Sequence, residues 1–319
     1  MSRKIFALAS LFLFILVSST FAAEPFPTRE IEILCPWEAG GGMDLMARTL
    51  APGMSEVLGK PVVVTNKPGA AGTLGTALGC TRKPDGYTLF TISPSPVLFS
   101  PHIEKLEYNP LKDIIYLAGL LMQPYAIVVQ TDAPWKNFQE LLDYAKKNPG
   151  KIKYGNHGPN SYDHVIMENV AKDRGINWVA IPYKGDGALA PAILGGHVPV
   201  AGIAMAWVPQ AHAGKLRPLI LLTERRVKEF PQLPTLNEVG FNYYLGGASL
   251  NGLGVPKGVP EEILQKLENA IRYAADTPKF KDAAKTVSHE LFYQDRKQFT
   301  KSVEEGFNSI GDMIKKITK

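Results

Sequence analysis

The strongest constraint on this chain is an order of elements that recurs along it: a short extended run, a glycine-bearing turn, then apolar residues at helical spacing. The first instance is the clearest. Ile31-Glu32-Ile33-Leu34 reads as a short strand, and Met46, Leu50, Met54, Val57 and Leu58 recur close to one helical face. Between them stands Pro36-Trp37-Glu38-Ala39-Gly40-Gly41-Gly42-Met43-Asp44. Consecutive glycines let the backbone take conformations closed to other residues and let a ligand approach it closely. Asp44 is expected to cap the helix. The first turn of a helix has N–H groups without intrahelical partners and carries the positive end of its dipole. A carboxylate or phosphate can be held there without a basic side chain. Taken alone, the loop fits a plain strand-to-helix turn equally well. It lacks GxGxxG spacing, and no Lys-Ser or Lys-Thr follows to make a P-loop.

The next elements continue the order. Pro61 to Asn66 is a second strand, Lys67 to Gly72 a second glycine turn, and a small-residue helix runs to Gly79. Lys83-Pro84-Asp85-Gly86 is a turn signal before the strand Tyr87 to Thr91. Alternation of this kind makes an α/β chain with a parallel sheet, helices on both faces and ligand sites beyond the carboxyl ends of the strands. That places Gly40 to Asp44 and Ser93-Pro94-Ser95 on one rim. Ser93 and Ser95 are candidate donors there, or members of an ordinary turn. Pro52 interrupts the first helix while its apolar spacing continues, which predicts a kink.

From about Tyr125 a second series begins. It comprises the strand Ala126 to Val129, a helix around Phe138, Leu141, Leu142 and Ala145, a stop at Asn148-Pro149-Gly150, and the strand Ile152 to Tyr154. The loop Gly155 to His164 follows, with Asn160 or Ser161 placed to cap a helix through Val165 and Val170. Another instance is Trp178 to Pro182, then Tyr183-Lys184-Gly185-Asp186-Gly187, then a short apolar helix to Leu194. Strands Val198 to Ile203 and Leu216 to Leu222 complete a second sheet. The return path runs through Tyr243 to Val255. Helices around Ile263 to Ala274 and Phe299 to Ile317 are expected to pack back on the first sheet, near Leu291 to Tyr293. The reading is therefore two lobes, residues 23–123 plus 249–319 and residues 124–248, each a mostly parallel sheet flanked by helices, with a cleft and hinge between them.

Residues 1–22 have the charged, apolar and small-residue regions of a cleavable secretory signal peptide: Arg3-Lys4, then Ile5 to Val17, then Ser18 to Ala22. This predicts export to the periplasm. The net charge of +5 falls slightly without the leader, and no basic stripe with interleaved aromatics exists, which argues against nucleic acid. Cys35 and Cys80, the only cysteines, fall at opposite ends of a βαβ unit and are expected to be two buried free thiols. His157, Ser161, Asp163 and His164 form the sole cluster that a periplasmic hydrolase could use. GxSxG is absent, and the two histidines lie across a loop rather than on one helical face, which also weakens a zinc reading. No catalytic residue, metal or cofactor is expected, and the chain is expected to be a monomer.

These segments resemble one family over nearly the whole mature chain: the receptors of tripartite tricarboxylate transporters, often called Bug-type. The shared motifs are Pro36 to Asp44, Gly59 to Gly69, Pro84 to Leu89, Pro182 to Gly185, Leu194 to Val198 and Ala213 to Arg217. The resemblance implies a two-lobed, type II-like periplasmic binding protein that closes on a small carboxylate and serves integral-membrane transporter subunits. It further implies that Gly41, Gly42, Met43 and Asp44 on one side, and Asn160, Ser161 and His164 on the other, hold the carboxylate, mainly through backbone donors. Tyr183 and Gly185 join them from the third loop. Asp44 has a second implied role, meeting an ammonium in relatives that take amino acids. The chain departs from the family at Trp37-Glu38-Ala39, where Phe-Pro-Pro is usual, at Met43, at Pro159-Asn160 and at Pro199. Glu38 would repel a polyanion or attract a cationic group, or be a solvated loop carboxylate. A receptor that docks on a signalling partner fits the same residues.

Overall fold

The computed structural model describes residues 26–245, 249–286 and 288–318; the expected leader and Gly246-Gly247 lie outside them. In chain order the strands are β1 (Ile31–Cys35), β2 (Val62–Asn66), β3 (Thr88–Ile92), β4 (Ile114–Met122), β5 (Ala126–Gln130), β6 (Lys153–Asn156), β7 (Val179–Pro182), β8 (Val200–Ile203), β9 (Leu216–Leu221), β10 (Leu250–Pro256) and β11 (Glu290–Gln294). The longer helices are α1 (Gly42–Leu58), α2 (Thr73–Cys80), α3 (Phe138–Lys147), α4 (Tyr162–Arg174), α5 (Asp186–Leu194), α6 (Trp207–His212), α7 (Glu261–Asp276), α8 (Pro278–Thr286) and α9 (Arg296–Thr318). A six-stranded sheet runs β11-β4-β10-β3-β1-β2, and a five-stranded sheet runs β7-β6-β8-β5-β9.

Each sheet is built on a parallel trio. β1 lies between β2 and β3, with Ile33 opposite Val64 and Leu89, and β6 lies between β7 and β8. The rest is antiparallel, so the sheets are mixed rather than mostly parallel. β10 runs against both β3 and β4, β11 against β4, and β5 against both β8 and β9. The reason is connectivity. A parallel neighbour needs a crossover helix, whereas β5 and β10 are reached as the chain passes from one sheet to the other and enter against the run of their neighbours.

The strand β4 is absent from the sequence reading. Ile114-Ile115-Tyr116-Leu117-Ala118-Gly119-Leu120-Leu121-Met122 has no alternation because nearly all of it is buried. A strand covered on both faces loses the period that would reveal it. α1 continues through Pro52 to Leu58, so the proline does not end it. Cys35 and Cys80 are both free, as expected, though Cys80 is only partly buried. The last helix departs from expectation. α9 packs on β4, where Phe299 meets Tyr116 at 5.5 Å, and also on α4 of the second sheet, where Asn169 Nδ2 donates to the Met313 carbonyl at 3.0 Å.

Gly252 of β10 lies where this packing is tightest, since a Cβ there would collide with the Ala118 carbonyl and the Phe299 ring. Gly252→Ala is expected to destabilise the protein by about 1–3 kcal/mol through overpacking, read as a lower midpoint in denaturant. An unchanged midpoint would show that β10 and α9 yield freely.

Candidate functional site

The loops before α1, α4 and α5 are the first, second and third turns of the site, and each leads into a helix whose first turn carries an aspartate. In α1 the N-cap is Gly41 and Asp44 is the third helical residue, so Asp44 does not cap the helix as expected. Its side chain reaches back instead. Asp44 Oδ2 accepts from the Gly40 N–H at 2.9 Å and from Arg48 Nε at 3.0 Å, while Oδ1 accepts from Asn66 Nδ2 at 2.8 Å. Asp44 is 3% exposed. Burial opposes its ionisation, but Arg48, the Gly40 N–H and Asn66 hold its carboxyl below the usual range. With Arg48 already beside it, this carboxylate is not the free counter-charge an ammonium would need.

Around that loop, Trp37 Nε1 donates to Ser93 Oγ at 3.0 Å, and Asn66 Nδ2 also donates to the Trp37 carbonyl at 3.0 Å. The rim predicted for Gly40 to Asp44 and Ser93 is thus joined. Ser95 begins a short helical turn, Ser95–Phe99, beside it. Met43 contributes no side chain to a ligand, because it is packed in the core with Ile31 and Cys35. Glu38 is exposed.

The second and third turns are tied together by a histidine that the sequence reading considered only for catalysis or zinc. Ser161 is the N-cap of α4, its Oγ accepting from the His164 N–H at 3.4 Å and donating to Asp163 Oδ1 at 2.8 Å. Asn160 takes a left-handed φ of 62°, and its N–H donates to His164 Nδ1 at 3.2 Å. Ser161 and His164 are therefore engaged separately, and no serine–imidazole pair forms. His157 lies between Asp163 Oδ2, 3.0 Å from Nδ1, and Asp186 Oδ1, 2.7 Å from Nε2. Burial opposes its charge, yet the two carboxylates push its pKa up to about 10. It is an imidazolium at neutral pH. Burial likewise opposes ionisation of Asp186, which His157 and backbone donors nevertheless hold below the carboxylate range. Gly185, at φ 78°, is the N-cap of α5, and the Tyr183 N–H donates to the Asn156 carbonyl at 2.8 Å.

Asp186 makes the connection that the sequence did not suggest. Its carboxylate accepts from the N–H groups of Ala204, Met205 and Ala206, at 2.9 to 3.2 Å, which folds the turn after β8 onto α5. Met205 in turn reaches the first lobe: a Cβ on Gly42 would lie 3.8 Å from its Cε. Hydrogen bonds therefore run from the Met205 turn through Asp186 and His157 to Asp163 at the start of α4, with Met205 close to the start of α1. Along this line several backbone donors stay unengaged. Among the described residues no acceptor faces the N–H groups of Gly42, Met43 and Asp44, of Tyr162 and Asp163, or of Asp186 and Gly187. No group of His, Cys, Asp and Glu among the described residues is arranged to hold a metal.

Comparison with known proteins agrees with this architecture. The profile of the tripartite tricarboxylate transporter family receptor matches residues 46–319. A UPF0065 protein of Cupriavidus necator is 37% identical over 295 residues, covering 92% of this chain and 89% of its own. A TctC solute binding protein from Polaromonas superposes with a TM-score of 0.81 at 29% identity, covering 91% of this chain and 99% of that one. Two Rhodopseudomonas palustris proteins, one with adipate and one with bound malate, share the fold at 24% identity, with TM-scores of 0.74 and 0.72. They cover 92% and 91% of this chain, and 98% and 100% of their own.

The His157 bridge has a defined pH signature. Its folded pKa lies above the unfolded value of about 6.5. Its stabilisation is therefore fully present below about pH 6.5 and is lost as pH rises through its folded value. His157→Gln, which strands the fully buried Asp163, is expected to cost about 3–5 kcal/mol near neutrality. In thermal melts the gap between wild type and variant should narrow steadily toward alkaline pH. A gap that stays constant would mean the histidine is neutral in the folded protein.

Proposed function

The chain belongs to the tripartite tricarboxylate transporter receptor family, periplasmic solute-binding proteins, and from that premise we propose that it captures a small carboxylate by backbone N–H groups at helix N-termini. The observation that carries this reading is the run of unengaged donors at the starts of α1, α4 and α5, joined through Met205 and Asp186. Such groups stabilise an anion by hydrogen bonding and by the helix dipole together. Two of the cations nearby are already engaged, Arg48 with Asp44 and His157 with two aspartates, which leaves Lys184 as the exposed cation of the third turn.

In this reading Gly41, Gly42, Met43 and Asp44 face the ligand from the first lobe, with Ser93 and Ser95 on the rim. Asn160, Ser161, His164, Tyr183 and Gly185 face it from the second. The lobes are residues 23–123 with 249–319, and residues 124–248, in keeping with which strands share a sheet. The ligand bridges both lobes only when they are together, so binding selects the closed arrangement. The closed receptor then delivers its cargo to integral-membrane transporter subunits. The signal peptide at residues 1–22, outside the described residues, exports it. Among the described residues no helix is long and apolar enough to cross a membrane.

A thermal-shift screen tests the ligand class. Adipate and malate, taken from the two fold neighbours, are the first probes, with mono- and tricarboxylates, aromatic acids and acidic amino acids beside them. A binding acid must raise the melting temperature by mass action, and the corresponding neutral amide must not. Against the best acid, Asp44→Ala should weaken binding by about tenfold or more, since it frees the Gly40 turn. Ser161→Ala should weaken it less, in line with a lost cap of about 1 kcal/mol. Unchanged affinity in both variants would sink the site assignment.

A further inference from the structure

A cavity of about 510 Å³ lies between the two lobes, on the other side of His289 from the first glycine turn. Its floor is apolar: Val208 and Phe230 come from the second lobe, Leu291 from the first, and Pro124 from the link between β4 and β5. At its mouth stand two exposed ammonium groups, one from each lobe, Lys228 and Lys285. The carboxylates of the lining each have a partner side chain. Glu229 pairs with His212 at 2.5 Å, and Glu290 with Arg225 at 3.2 Å. Neither Lys228 nor Lys285 has an ion-pair partner among the described residues. The cavity thus offers uncompensated positive charge over an apolar base.

Two further contacts join the cavity to the rest of the protein. Arg225, whose guanidinium lies 3.7 Å from the Phe292 ring centre, pairs with Glu290 across the lobe boundary, so the walls stand together only in this arrangement of the lobes. His289, which lines the cavity and is 5% exposed, has its Cε1 3.2 Å from where a Cβ on Gly42 would lie. It is the partition between the cavity and the first glycine turn.

We propose that this cavity is a second binding site, taking a small organic anion with an apolar body, and that its occupant favours the arrangement in which both lobes form its walls. The anionic group sits between Lys228 and Lys285, and the apolar body on Val208, Phe230 and Leu291. An occupant that contacts both lobes must bind this arrangement better than one in which they part. The site is independent of whether the helix ends hold a carboxylate.

Isothermal titration with para-toluenesulfonate, using benzylammonium as the cation of similar size, tests it on the full mature chain. The sulfonate should bind and the ammonium should not. Val208→Phe, which fills the floor, should weaken sulfonate binding by about tenfold. Lys228→Gln with Lys285→Gln, both at exposed positions, should weaken it several-fold and reduce its dependence on salt. Ser161→Ala, at the helix-end site, should leave it unchanged. The proposal is overturned if wild type binds no sulfonate, if the double lysine variant binds as wild type does, or if Ser161→Ala loses binding, which would place the probe among the helix ends. Should Val208→Phe fail to fold, the lysine pair and Ser161→Ala decide the matter alone.

Discussion

The organisation of the helix-end site depends on one repeated interaction: an aspartate in the first turn of a helix accepting N–H groups from a neighbouring loop. Asp44 takes the Gly40 N–H, Asp163 takes the His157 N–H at 3.0 Å, and Asp186 takes three in succession from residues 204–206. A carboxylate at a helix start is favoured by the dipole, and its acceptor capacity binds loop backbone that would otherwise be loose. The consequence is geometric. Asp44 and Asp163 each fasten the loop leading into their own helix, and Asp186 fastens the turn after β8. Glycine fits at these turns for the same reason, since Gly40 and Gly185 take φ values of 83° and 78°.

Three buried or half-buried carboxylates would be costly if unpaired, and the chain supplies only two cations for them. Arg48 serves Asp44, and His157, held protonated, serves Asp163 and Asp186 together. The second cluster therefore carries a net negative charge even with its histidine charged. Side-chain electrostatics would not by itself attract an acid there. In the binding mode proposed above, oriented backbone donors supply the attraction, at hydrogen-bond range and according to how closely the ligand fits. Such a site rewards shape over charge.

Much of the fold was legible because it rests on local patterns. Alternation, turn residues and caps placed the strands of both parallel trios and narrowed the α4 cap to Asn160 or Ser161, of which Ser161 is the one. What escaped was nonlocal. β4 has no period because both its faces are covered, and the antiparallel entry of β5 and β10 depends on where the chain crosses between sheets. At the site, the glycine turns could be read from spacing, but Asp186 could not. Its partners are backbone N–H groups of Ala204, Met205 and Ala206, residues whose side chains carry no polar signal. His157 was visible as a titratable group, yet only its two opposed carboxylates turn it from a catalytic candidate into a structural cation. Asp44 was misplaced by three positions within the cap, because a run of glycines leaves the first helical residue undetermined by type.

The two sides of the lobe boundary are built differently, and the difference bears on how the cleft can work. On the α9 side, one continuous apolar core includes Phe90 and Phe299 of the first lobe with Val165 and Val170 of the second. Asn169 adds a buried hydrogen bond to Met313, and Asp173 pairs with Lys316. Parting the lobes there would expose that core to water, at about 25 cal/mol for each Å² of apolar surface. At the glycine turns, the start of α1 lies close to Met205, a Cβ on Gly42 falling 3.8 Å from its Cε, and each face has its own internal hydrogen bonds. Local opening costs least where little apolar surface is shared. The apolar core thus joins the two lobes on the α9 side. In the reading proposed above, an anion held by the N–H groups at the starts of α1, α4 and α5 supplies between the glycine turns the cohesion that the apolar core supplies beside α9.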